Sequence, residues 1–100
     1  MTTLFMGSPA AHATEADDKF LAVVASLGLE FGTLDEAVAA GNNICDIVAE
    51  GSANNFSPSK IRTSIVASLQ GEGLDGPRAT QLMRGAVNAY CPVYNNVVAD

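Results

Sequence analysis

Two cysteines constrain this chain more than any other feature. Cys45 and Cys91 are the only ones in 100 residues, so a single intramolecular pairing is possible. A bond between them would close a loop of about 46 residues, worth roughly 4 kcal/mol on the chain-entropy account. A domain of this size has a total stability of about 5–10 kcal/mol, so such a staple would weigh heavily in it. The alternative is a pair of buried free thiols in a reducing compartment. The spacing is not C-x-x-C, which argues against a redox motif or a zinc knuckle. His12 is the single histidine and lies close to the N-terminus. The remainder of the chain therefore lacks an obvious third and fourth metal ligand, and neither a metal nor a cofactor is expected.

The N-terminal residues favour the oxidised pair. Leu4, Phe5 and Met6 form an apolar fragment that Gly7, Ser8 and Pro9 interrupt. Ala11-His12-Ala13 follows as a small-x-small site of the kind signal peptidase cuts, and the chain then turns acidic at Glu15, Asp17 and Asp18. Residues 1–14 are read as the end of a secretory leader, and the protein as secreted or held at the cell envelope. The plainer alternative is a disordered N-terminus with a chance Ala-x-Ala. Residues 15–94 are read as one helical domain and residues 95–100 as a loose tail.

Within that domain, glycine and proline punctuate four helical stretches. Asp17 or Asp18 can cap the first, in which Phe20, Leu21, Val24 and Leu27 recur at helical spacing before Gly28 stops it. Phe31 in the connection should plug the core. Thr33 and Glu36 have capping-box spacing and open a second helix from Leu34 toward Glu50, with Gly51 as its end. Leu34, Val38, Gly41, Cys45 and Val48 make its expected inner stripe, with Ile44 beside it. Ser57-Pro58 starts a third helix with Ile61, Ile65 and Leu69 inward and Lys60, Arg62 and Ser64 outward. Asp75 and Pro77 start a fourth, in which Ala79, Leu82, Met83, Ala86 and Tyr90 face inward, and Pro92 prevents easy continuation. No strand-like alternation competes. The expected fold is all-α, a small bundle of about four short helices stapled by Cys45–Cys91.

The combination resembles the domain of unknown function 732 family, small exported proteins of actinobacteria and above all mycobacteria. The matching stretches are A-D-D-K-F-L at residues 16–21, D-E-A-V-A-A-G at 35–41, I-C-D-I-V-A-E-G at 44–51 and A-Y-C-P at 89–92. The chain departs from the family's pattern at Asp75-Gly76-Pro77, where the family tends to have a Thr or Ser cap. The resemblance implies secretion, a helical fold and a paired cysteine. It brings no established activity and no catalytic residues.

Charge and residue types narrow the function further. The net charge is −6 and the pI about 4.4, so a phosphate backbone would be repelled and nucleic acid is not an expected partner. The acids are uneven: the first 50 residues carry eight against Lys19 alone, the second 50 carry three against four bases. Solvated surface accounts for this, and an acidic docking face for a basic partner is the sharper alternative. No apolar run approaches 18 residues, so no membrane span is expected. Serines Ser57, Ser59, Ser64 and Ser68 have no base beside them, and Asp17–Asp18 and Asp35–Glu36 are explained by helix starts. An enzyme is not expected. The favoured reading is a monomeric, secreted, non-catalytic interaction module with a protein partner at the envelope or a host surface. The alternative is a carrier of a small apolar ligand, a lipid or haem, in a helical pocket. Met83 and Tyr90 are its candidate lining residues, since methionine lines adaptable sites and tyrosine can ligate haem iron.

Overall fold

The computed structural model describes residues 14–99, all of whose regular elements are helical. The expected cleavage site at Ala11-His12-Ala13 lies outside the described residues. Four helices form the body: α1 (Glu15–Ser26), α2 (Leu34–Ala53), α3 (Pro58–Gly71) and α4 (Gly76–Tyr90). A 3-10 turn (Pro92–Tyr94) and a short helix, α5 (Asn95–Val98), follow. The fold is all-α and carries one disulfide, Cys45–Cys91.

Local chemistry sets most of the boundaries. The capping box at the head of α2 has both of its bonds: Glu36 N donates to Thr33 Oγ1 at 3.0 Å, and Thr33 N donates to Glu36 Oε1 at 3.2 Å. Ser57 caps α3 and Asp75 caps α4, each accepting from the backbone N–H three residues on. Gly28, at φ 70°, closes α1 in the left-handed region.

Two boundaries differ from the sequence reading. α1 begins before Asp17, because Thr14 Oγ1 accepts from Asp17 N at 3.0 Å and is itself the cap. That leaves Glu15, Asp17 and Asp18 in the first turn, where the helix dipole favours them. α2 continues through Gly51 to Ala53. Gly51 is buried because α3 crosses there: a Cβ on it would lie 2.8 Å from Cγ1 of Ile61. The left-handed residue in the following turn is Asn55, at φ 62°.

α4 is the hub, packing against α1, α2, α3 and α5. Phe20 of α1, Val48 of α2, Ile65 of α3 and Leu82, Met83 and Val87 of α4 are fully enclosed in one cluster. Each such side chain contributes about 1.5–3 kcal/mol through loss of apolar surface to water. The inner stripe of α2 is Ala37, Gly41, Ile44, Cys45 and Val48. Leu34, expected on that stripe, is 69% exposed. It is the first residue of α2, ahead of the point where the helix meets its neighbours. Phe31 is half-buried against the core rather than within it.

The C-terminal residues also differ from expectation. Residues 95–98 form α5, and Val98 is 2% exposed within the core cluster. Arg62 Nη1 donates to the Val97 carbonyl at 2.9 Å, and Arg84 Nε donates to the Val98 carbonyl at 3.1 Å. A four-residue helix leaves its last carbonyls without internal partners, and arginines from α3 and α4 supply them. Arg62, expected to point outward, is therefore part of the fold.

Candidate functional site

Each candidate residue has a definite place. Cys45 is buried on α2 and Cys91 half-buried at the end of α4, with Cα atoms 6.1 Å apart. Sγ of Cys45 lies 3.6 Å from the Ala86 carbonyl oxygen. An oxidised sulfur has no proton, so this is a packing contact. The bond ties the last turn of α4 to the middle of α2 and sets where the C-terminal turn leaves the body.

Tyr90 lies where α1, α2 and α4 meet. Its hydroxyl donates to Asp17 Oδ1 at 2.7 Å, and Asp17 is 6% exposed. Its ring stands 5.5 Å from that of Phe20 at a tilt of 54°, within the range of favourable aromatic pairs. Gly41 makes this arrangement possible, since a Cβ there would lie 2.7 Å from Tyr90 Cε2 and 2.9 Å from Phe20 Cε2. Burial, then the hydrogen bond to Asp17, then its charge, raise the Tyr90 pKa well above the ordinary tyrosine value. A phenol held protonated against a buried carboxylate is poorly placed to ligate iron.

Met83 is 1% exposed and forms the floor of a shallow groove of about 280 Å³ between α3 and α4, beside Arg62 and Arg84. Both arginines hold the α5 carbonyls. Met83 and Tyr90 share α4 about two turns apart, Met83 lining the α3–α4 groove and Tyr90 facing Phe20 and Asp17.

An apolar concavity lies elsewhere, between α1 and the start of α2. It is an open groove of about 590 Å³, a size suited to a small ligand or a few partner side chains. Leu21, Val24 and Ala25 of α1 form one wall, and Leu34 and Ala37 of α2 the other. The connection closes one end with Leu29, Glu30, Phe31, Gly32 and Thr33. Sequence reasoning placed Phe31 and Leu34 in the core and so missed this feature. The available signal was a connection carrying Leu27, Leu29, Phe31 and Leu34 at short intervals, more apolar than a solvated turn requires.

The chemistry of the groove is apolar contact with an acidic edge. Glu30 lines it, and the Glu36 carboxylate is held beside it by the bond from Thr33 N. Among the described residues, no group of three or more His, Cys, Asp or Glu could hold a metal ion. No helix among them is long and apolar enough to cross a membrane.

A family model described as "Protein of unknown function (DUF732)" matches residues 16–93, and the chain belongs to that family. No curated protein and no solved structure matches it.

Proposed function

We propose that this family member is an exported, non-catalytic interaction module that receives an apolar segment of a partner protein in the α1–α2 groove. It would act at the cell envelope or a host surface. The observation that carries the reading is an open apolar groove among the described residues, beside a closely packed core, with Leu34 69% exposed on its lip. Exposing such a side chain forgoes about 1.5–3 kcal/mol of burial, which a partner can supply. Export is supported by the disulfide, a bond that persists in oxidising compartments. A non-catalytic role is supported by the residues at the groove: carboxylates and apolar side chains, with no nucleophile paired to a base.

The carrier alternative is weaker on chemical grounds. A fatty-acid carboxylate, a phosphate headgroup or a haem propionate would meet the acids at the groove edge. The test is site-specific photocrosslinking in the producing cell, with benzoylphenylalanine at position 34 and, as control, at the exposed Ser68 on α3. A discrete protein adduct from position 34 alone supports the module. Adducts equal at both positions, or lipid recovered with the purified protein and displaced by Leu34→Asp, overturn it. The mass of the exported chain checks the leader: cleavage after Ala13 is expected.

A further inference from the structure

The geometry points to a particular occupant, a short amphipathic helix with apolar residues on one face and lysine or arginine flanking them. This rests on the groove being the docking site and goes on to name the chemistry of the partner. The first argument is charge. Glu30 lines the groove and Glu36 is fixed at its edge by the bond from Thr33 N. Asp18 lies one turn before Leu21 on the same strip of α1. Lys19 is the one base in the first fifty residues, and helical spacing puts it on the far side of α1 from Leu21 and Ala25. The groove lining therefore carries an acid and no base, and a basic partner is drawn to it while an acidic one is repelled.

The second argument concerns backbone. The groove walls are two helices, whose N–H and C=O groups bond within their own segments. An extended peptide would find no strand edge among the described residues and would leave its own polar backbone unsatisfied against apolar walls. A helix brings its backbone bonds with it and needs only side-chain contact. Apolar anchors at i, i+3 or i+4, and i+7 would run along Leu21, Ala25 and Leu34, with basic residues meeting Asp18, Glu30 and Glu36.

The test is selection from a displayed library of random peptides, each about 14 residues or four turns long, on the immobilised, disulfide-bonded protein. Counter-selection uses Leu34→Asp, a change at an exposed position whose folding is checked by circular dichroism. Enriched peptides are expected to carry Lys or Arg on both flanks of an apolar helical stripe. Their affinity should fall at least about fivefold between roughly 50 and 500 mM sodium chloride, and about tenfold in Glu30→Lys. Enriched peptides that are neutral or acidic, or binding indifferent to salt, would overturn the basic-helix inference and leave the groove as a docking site. No peptide dependent on Leu34, or displacement of every peptide by palmitate alone, would overturn both.

Discussion

Replacing Val98 by alanine tests whether the C-terminal residues belong to the core. Val98 is 2% exposed and sits in a cluster with residues of α1 to α4. The change removes two methyl groups, about 0.8 kcal/mol each in lost transfer free energy. A residual cavity adds to this, so the expected loss is about 2 kcal/mol. The cost has a ceiling, because α5 can undock as a unit once its docking is worth less than the damage. Val93→Ala is the matched control. It deletes the same atoms a few residues away, but Val93 is 79% exposed and the expected change is within about 0.5 kcal/mol. Urea unfolding followed by far-ultraviolet circular dichroism reads the difference. With a slope of about 2 kcal/mol per molar, Val98→Ala should move the midpoint down by roughly 1 M relative to Val93→Ala. Superimposable curves for the two variants would refute the reasoning and return residues 95–98 to the status of a loose end.

Three further outcomes are expected. Replacing both Cys45 and Cys91 by serine should cost about 4 kcal/mol and lower the melting temperature by roughly 20 °C, with reductant giving the same loss in the parent protein. Gly85→Ala places a Cβ 2.8 Å from Val23 Cγ1, so it should destabilise despite the better helix propensity of alanine. Adding Val23→Ala should recover at least about 1 kcal/mol, seen as coupling in a double-mutant cycle by urea unfolding. The raised pKa of Tyr90 means that its contribution is complete below about pH 10, where unfolded tyrosine begins to ionise, and is lost as the pH climbs toward the folded value. Urea midpoints should therefore fall more between pH 9 and pH 11 in the parent than in Tyr90→Phe, and equal falls would contradict the Asp17 bond.

The parts of this fold that were legible in the sequence are those decided within a few residues. Thr33 with Glu36, Ser57 with Pro58, and the stripe Ile61–Ile65–Leu69 each depend on one turn of chain, and each stands as read. The misreadings share a different cause. Gly51 looks like a stop, and only the approach of Ile61 from the next helix makes it an interior residue. Val98 sits in a polar stretch with no periodic pattern. Its burial is decided by Arg62 and Arg84, which lie 35 and 14 residues from the carbonyls they hold. Asp17 looks like a cap, and it is the distant Tyr90 that gives it a buried partner. The groove was hidden for the same reason: Leu34 belongs to a helical stripe by spacing and leaves the core because α2 begins before it reaches its neighbours.

The position of the groove follows from where the fold is fastened. α4 is tied to α2 by the disulfide and to α1 by the Tyr90–Asp17 bond and the close approach at Gly85. It shares with α3 the arginine pair that holds α5. All of these attachments converge on α4, whereas the α1–α2 connection is held by the Gly28 stop, the bond from Leu29 N to the Val24 carbonyl and the Thr33–Glu36 box, with Leu27, Leu29 and Phe31 packed against the core. Direct packing of Phe20 against Gly41 fixes the spacing of α1 and α2 beneath the groove, so its walls are preformed. On the function proposed above, the staples have a second role: a core fastened through α4 leaves Leu34 exposed and Leu21 and Phe31 half-buried at the groove.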